Sequence, residues 1–146
     1  MAMRRRGKHF YADSTEDTPE VIRRYSKSNG YEATLFAVPV CSCGGRTFRL
    51  RLDEDAGVAV RTCANCESVH TMGDGDEYIA DANLQECACL CGGEIFGLTV
   101  GVALYADSAD VRWLYVGCHC PVCRLTAVYG DWKNEFIGYS ALLARV

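Results

Sequence analysis

Hydrophobic and polar residues alternate regularly over residues 47–52 of this chain. Every second residue is apolar, beginning with Phe48, and arginines occupy the positions between them. This period of two predicts a strand with one buried face. Residues 53–57 are acidic and end in glycine, as turns do, and residues 58–62 are again mostly apolar. The pattern therefore predicts a β-hairpin.

A second hairpin is predicted over residues 95–105 and 111–117, and its apolar residues occupy both faces. One face carries large side chains such as Leu98, whereas the opposite face carries small residues such as Gly101. A strand that is apolar on both sides is expected to be buried on both sides. Its second cover is the first hairpin, a helix or another protein chain. Three aromatic residues near this hairpin are candidate interface anchors, namely Trp113, Tyr115 and Trp132.

Short helices are predicted on both sides of these strands. In residues 14–30, Thr18 is the expected N-cap before a proline, and Gly30 is the expected end of the helix. Residues 134–146 are predicted to form a closing amphipathic helix. Residues 1–13 contain several basic residues without apolar periodicity, and they predict a flexible basic tail. The expected inward residues of the closing helix are Phe136, Tyr139, Leu142 and Leu143.

Ten cysteines change this picture, because eight of them occur in a motif that is written twice. Each copy reads C-x-C-G-G-x-x-F and is followed by C-x-x-C. After the last cysteine of each copy, the similarity continues through a Gly-Asp pair. We therefore expect one unit to be duplicated, as residues 31–80 and residues 81–133. The eight cysteines are Cys41, Cys43, Cys63, Cys66, Cys89, Cys91, Cys120 and Cys123.

The compartment decides whether such cysteines form disulfides or bind metal. No apolar run follows the basic N-terminal residues, so a secretory signal is not predicted. No stretch approaches the roughly 18 apolar residues of a membrane span. We therefore expect a reducing cytoplasm and zinc, with two ions per chain. The formal charge is −4, and zinc-bound thiolates lower it further, so bulk attraction of nucleic acid is not expected.

The paired knuckles resemble the zinc-ribbon group, which shares its knuckles with rubredoxin-like domains. The segment from Cys120 to Cys123 matches best, whereas the first knuckle of each copy is C-x-C and Glu67 and Arg124 replace a common glycine. The resemblance implies two tandem zinc ribbons in one compact, mainly β domain with short flanking helices. Four cysteines per copy leave no open coordination position, so each metal is expected to be structural.

Several other residues are candidates for function. Cys87 and Cys118 each lie two residues before a predicted ligand, and with His119 they are candidate alternative ligands or a redox pair. The simpler interpretation is that the two cysteines are buried free thiols. Basic residues of the first hairpin are candidate nucleic-acid contacts, although an acidic turn lies beside them. These residues are Arg46, Arg49, Arg51 and Arg61.

The sequence therefore predicts a small zinc-binding protein that is not an enzyme and that recognises another protein, as an adaptor or inhibitor does. One alternative is a nucleic-acid-binding ribbon that uses the arginine face of the first hairpin. A second alternative is a redox or metal sensor that depends on Cys87 and Cys118.

Overall fold

The structure, a computed structural model, describes residues 3–146 and consists mainly of antiparallel strands. The predicted class, mainly β with short helices, is confirmed. The helices are α1 (Thr18–Asn29) and α2 (Tyr139–Leu143). The strands are β1 (Met3–Arg6), β2 (His9–Ala12), β3 (Leu35–Ala37), β4 (Phe48–Asp53), β5 (Val58–Cys63), β6 (Val69–Thr71), β7 (Gln85–Glu86), β8 (Gly97–Leu104), β9 (Val111–His119) and β10 (Leu125–Lys133).

The strands form two sheets, and each sheet contains one of the predicted hairpins. The larger sheet has six strands in the order β1-β2-β10-β9-β8-β3, and the smaller has four in the order β6-β5-β4-β7. Both hairpins, β4-β5 and β8-β9, are confirmed. Each hairpin gains a third strand from the segment after its last cysteine, β6 in one copy and β10 in the other.

The two motif phenylalanines join the sheets. Phe48 donates its amide hydrogen to the carbonyl of Phe96, and Phe96 donates to Phe48, with both N···O distances at 2.8 Å. Both side chains are fully buried. Because equivalent residues of the two copies exchange equivalent hydrogen bonds, the junction has local two-fold character. Around it, alternate residues of β4 such as Leu50 pack with Leu98 and Val100 of β8 in one core.

The small-residue face of the second hairpin is covered by α1. A Cβ atom built on Gly117 would lie 2.8 Å from Ile22 Cδ1, and one built on Gly101 would lie 2.9 Å from Ile22 Cγ2. Glycine is therefore needed at both positions, because real side-chain atoms do not approach so closely. Three covers were considered from the sequence, and the chain supplies two of them, because the first hairpin covers one face of β8-β9 and α1 covers the other.

The predicted flexible tail is wrong for residues 3–12, which form the hairpin β1-β2. Gly7 turns this hairpin with φ of +60°, and β2 pairs with β10 through Tyr11 and Leu125. Arginine side chains lie over the rings of Phe10 and Tyr11, which shields the apolar surface that the sequence pattern missed. The first two residues of the predicted tail lie outside the described residues.

Both predicted helices are present, but they are shorter than the predicted segments. α1 ends as predicted at Gly30, which has φ of +89°, whereas its N-cap is Asp17 and Thr18 is already helical. The closing helix covers only Tyr139–Leu143, because Gly138 at φ of +83° interrupts the helical backbone before it. Leu142 is fully buried, as its inward position predicted.

The boundary between residues 31–80 and 81–133 does not separate the two sheets. β3 lies in the first segment but pairs with β8 of the second copy. β7 lies in the second segment but pairs with β4 of the first copy. These short edge strands carry no cysteine motif, so the repeat does not indicate which sheet each of them joins. The segment that carries the first four cysteines, residues 41–71, is consequently inserted between strands that belong to the larger sheet.

Candidate metal centres

The structure brings the first four cysteines of the repeat together at one end of β4 and β5. The Sγ atoms of Cys41 and Cys66 are 3.5 Å apart, and those of Cys43 and Cys63 are 3.6 Å apart. All four sulfur atoms lie within 4.8 Å of one another. We call this group the first centre.

The second centre repeats this arrangement at the corresponding end of β8 and β9. The Sγ atoms of Cys89 and Cys123 are 3.4 Å apart, and those of Cys91 and Cys120 are 3.7 Å apart. Again all four sulfur atoms lie within 4.8 Å of one another. All eight repeat cysteines are thus placed in two separate groups of four.

The donor sets fit a tetrahedral metal ion. Four sulfurs at about 2.3 Å from a central ion are about 3.8 Å from one another, close to the distances seen here. A disulfide requires a separation of about 2.05 Å, which none of these four pairs approaches. Soft thiolate donors select zinc, iron or other thiophilic ions over magnesium or calcium. Each centre can therefore hold one metal ion.

The knuckles of the two centres share one backbone design. Gly44 and Gly92 have φ of +89° and +92°, and each donates its amide hydrogen to the carbonyl of the first cysteine of its motif, at 2.8 Å. Glu67 and Arg124 also have positive φ, at +64° and +74°. These two residues replace the glycine that a ribbon usually carries, so the left-handed conformation persists without glycine there.

The glycine after each of these turns lies against the sulfur atoms. A Cβ atom built on Gly45 would be 2.7 Å from Cys63 Sγ and 3.3 Å from Cys43 Sγ. The equivalent atom on Gly93 would be 3.4 Å from Cys91 Sγ and 3.6 Å from Cys120 Sγ. The second glycine of the repeat is therefore required for space at the first centre and much less at the second.

Hydrogen bonds favour the thiolate form at the first centre. The amide group of Asn65, 3.5 Å from Cys43 Sγ, lowers the pKa of that thiol. The Ser68 side chain lowers the pKa of Cys66, and the backbone of Cys43 lowers that of Cys41. The backbone of Cys66 also lowers the pKa of Cys63, but burial and nearby cysteines outweigh it and raise the net value.

Burial has more influence at the second centre. It raises the pKa of Cys89, and it raises the pKa of Cys123 to about 12. Burial acts in the same direction on Cys120, but backbone hydrogen bonds from Cys123 and Val122 bring the pKa of that thiol down to about 7. Protons therefore compete with metal more strongly at the second centre than at the first.

The two remaining cysteines lie outside the groups of four. Cys118 is fully buried, and Cys87 is partly buried against the same core. Burial raises the pKa of Cys118, and it raises the pKa of Cys87 to about 11. These surroundings suit neutral thiols and agree with the simpler interpretation.

Neither the candidate His119 nor His70, which follows Cys66 by four residues, joins a centre. His119 is buried, and its Nδ1 is 2.8 Å from the hydroxyl of Thr126. His70 lies on β6 with Nε2 2.6 Å from the carbonyl oxygen of Arg145. Both imidazole rings therefore make hydrogen bonds to other residues of the fold and not to the cysteine groups.

The predicted arginine face is divided by the hairpin. Arg46 and Arg49 are exposed, but Arg61 is buried on the opposite face, with Nε 2.7 Å from the main-chain oxygen of Val146. Grouping Arg61 with the nucleic-acid contacts was therefore wrong. Arg49 and Arg51 line a shallow cleft together with Glu86 and Glu94, so acids balance this surface.

Arg61 is instead a neighbour of the first centre, which the sequence did not reveal. Its guanidinium lies 4.8 Å from the ring centroid of Phe48. Burial lowers the pKa of Arg61, and the sulfurs of Cys41 and Cys63 partly offset this effect. Counting along the repeat, the equivalent residue at the second centre is the neutral Cys118. A buried cation is thus present beside one centre and replaced by a thiol beside the other.

Two of the three candidate interface aromatics are part of the core. Tyr115 is fully buried and donates its hydroxyl hydrogen to the carbonyl of Tyr31 at 2.6 Å. Trp132 is also buried and packs against Gly57. The third candidate, Trp113, is only partly buried, and its ring stacks on that of Tyr31 with a centroid distance of 4.7 Å. Tyr115 and Trp132 are buried and cannot anchor a partner on the surface, so the prediction was wrong for these two residues.

Exposed apolar residues occur elsewhere, between the ligands of the second centre. Leu90 is 75% exposed between Cys89 and Cys91, and Val122 is 77% exposed before Cys123. We call Leu90 and Val122 the knuckle tips. Their equivalents at the first centre are the exposed polar residues Ser42 and Asn65. Comparison of the two copies residue by residue would have revealed this difference from the sequence.

Comparison with known protein families finds no match for this chain. Comparison with solved structures also finds no match. Among residues 3–146, no helix has both the length and the apolar character needed to cross a lipid bilayer.

Proposed function

We propose that this chain is a small zinc-binding protein whose two centres are structural and which recognises another protein through the knuckle tips of the second centre. Four thiolates complete the tetrahedral coordination of zinc at each centre, which favours a scaffold over a catalytic metal. A scaffold of this kind requires a reducing compartment such as the cytoplasm. We therefore place the protein among adaptors or inhibitors and not among enzymes.

One observation carries the recognition part of this proposal. Leu90 and Val122 are about three-quarters exposed, and each lies between two cysteines that a metal ion at the second centre would hold in place. Exposed apolar side chains on a rigid support lose little conformational entropy when a partner covers them. The first centre, built on the same backbone, carries Ser42 and Asn65 there. The partner that fits is a protein with an apolar pocket for two branched aliphatic side chains.

The test exchanges the knuckle tips for the residues of the first centre, as Leu90→Ser with Val122→Asn. The wild-type chain and the variant are used as baits, and the recovered proteins are then titrated in purified form. Complete burial of an aliphatic side chain contributes about 1.5–3 kcal/mol, so the exchange is expected to weaken a direct complex at least tenfold. Both proteins should retain two zinc ions per chain when metal is measured by mass spectrometry.

A matched control is Val69→Ser, which removes an apolar residue that is 62% exposed on β6, away from the knuckle tips. It should leave the affinity for the partner unchanged. A partner retained equally by wild type and the exchanged variant would refute recognition through the knuckle tips. Concentration-dependent dimerisation that disappears in the variant would identify a second copy as the occupant instead of a different protein.

The two alternatives from the sequence receive less support. Burial of Arg61 reduces the exposed positive charge of the arginine face, and Glu86 and Glu94 neutralise part of the charge that remains. The redox hypothesis depends on Cys87 and Cys118, whose buried surroundings favour unreactive neutral thiols. It would be revived if Cys87→Ser with Cys118→Ser changed the retention of metal under peroxide.

A further inference from the structure

A cleft of about 470 Å³ lies between the hairpin β1-β2, helix α1 and strand β10. The hairpin contributes Arg5, Lys8, His9 and Phe10 to its walls. The other walls come from one side of α1 and from residues 126–128 at the start of β10. This volume is within the range of about 300–1,000 Å³ that small-molecule sites occupy. None of the eight cysteines of the metal centres lines the cleft.

The charge of the cleft is opposite to that of the whole chain. Of the described residues that line it, four are basic, namely Arg5, Lys8, His9 and Arg24, and none is Asp or Glu. The chain as a whole has a formal charge of −4. A concave basic surface on an acidic protein concentrates potential at one place and attracts anions there selectively.

The arginine side chains of the cleft are held in place before any ligand arrives. The guanidinium of Arg5 lies 5.6 Å from the ring centroid of Phe10, and that of Arg24 lies 5.4 Å from the same centroid. Arg5 also donates from Nε to the carbonyl of Gly7 at 2.9 Å, and Arg24 donates from Nε to Glu20 at 2.8 Å. Both anchors use Nε, so the terminal guanidinium nitrogens are left for bidentate contact with a phosphate.

The remaining walls are mostly apolar or aromatic, with Ser28 and Thr126 as their polar members. They include Val21 and Tyr25 from α1 and Ala127 and Val128 from β10. Such walls match a ligand that has a flat or apolar body in addition to its anionic group. Sugar phosphates lack that body, and carboxylates offer fewer acceptor oxygens to paired guanidinium groups than phosphate does.

We propose that this cleft binds a nucleoside phosphate, with the phosphate on Arg5, Lys8 and Arg24 and the base against the apolar wall of α1 and β10. The proposal is independent of the metal centres and of the knuckle tips. Loss of recognition at the second centre would leave it unchanged.

Calorimetric titration of the full zinc-loaded chain tests the proposal with adenosine monophosphate as the probe. Adenosine and inorganic phosphate, each used alone, should bind at least tenfold more weakly, because each makes only one part of the contact. Lys8→Ala should weaken binding of adenosine monophosphate about tenfold, as expected for loss of one charge-assisted contact. Arg46→Ala, which removes an exposed cation from the first hairpin, should have no effect.

Arg5→Glu provides a second variant that reverses charge in the cleft and should abolish binding. The circular dichroism spectrum and metal content verify its fold. Equal binding by wild type and Arg5→Glu would overturn the proposal, as would no binding of adenosine monophosphate to the wild type. A short single-stranded oligothymidylate that binds where adenosine monophosphate does not would also overturn it, in favour of a strand-binding surface.

Discussion

Replacement of Gly45 by alanine is expected to weaken the first centre, whereas the same change at Gly93 should hardly affect the second. The new Cβ atom would lie 2.7 Å from Cys63 Sγ at the first centre. At the second centre its nearest sulfur is 3.4 Å away, which is ordinary van der Waals contact. The two substitutions are chemically identical and occupy equivalent positions of the repeat, so each serves as the control for the other.

The size of the effect follows from how little a bound sulfur can move. Relief of the contact requires a shift of about 0.7 Å, whereas metal–sulfur distances in working sites vary by only about 0.2 Å. The knuckle must therefore deform instead. Forced overpacking of this kind costs about 1–3 kcal/mol. A cost of about 2 kcal/mol corresponds to about a thirtyfold loss of metal affinity.

Competition with a chromophoric chelator measures this directly. Wild type should release its two metals with two affinities, and Gly45→Ala should show one affinity lowered about thirtyfold while the other is unchanged. Gly93→Ala should remain close to wild type. Indistinguishable release curves for the two variants would show that Gly45 does not restrict the first centre sterically.

Three further outcomes are expected. Glu67→Gly should raise the thermal unfolding midpoint, with a net gain of about 0.5–1 kcal/mol in the free energy of unfolding. Glycine removes the steric cost of the positive φ at this position, and that gain outweighs the larger chain entropy that glycine loses on folding. A lower midpoint would contradict this. Gly117→Ala should destabilise the fold by about 1–3 kcal/mol in urea unfolding, because the new Cβ atom meets Ile22. Adding Ile22→Ala should reduce that penalty in the double variant. Strictly additive effects of the two substitutions would show that residues 117 and 22 are not in contact. Acidification should release metal from the second centre first, as measured by metal analysis. The raised pKa of Cys123, about 12, keeps that thiol protonated to higher pH, whereas the pKa of Cys43 at the first centre is lowered. Release in the opposite order would refute this.

The hairpins and the ligand groups could be predicted from the sequence because their signals are local. Alternation from Phe48 onward assigns the buried face of β4, and the cysteine spacing predicts the two groups of four sulfurs. The small-residue face of β8 also signalled a close cover, and α1 provides it. Each of these predictions depended on residues near one another in the chain.

Features that depend on long-range contacts escaped the sequence. Arg61 alternates with Val60 on β5, and only the packing of Phe48 and Val146 around it shows that its charge is buried. β2 is only four residues long, too short to show a recognisable alternation, and β10 and the arginine side chains supply its cover. Its position could not follow from residues 1–13 alone.

The insertion of residues 41–71 between strands of the larger sheet has a consequence for synthesis of the chain. Strand β3 emerges from the ribosome early, yet its partner β8 begins roughly 60 residues later, and synthesis at about 5–20 residues per second separates them by several seconds. During this interval the four cysteines of the first centre can already close around a metal ion, whereas α1 has no sheet to cover. The apolar side of α1, with Val21 and Ile22, therefore has no native cover until the last strands are made.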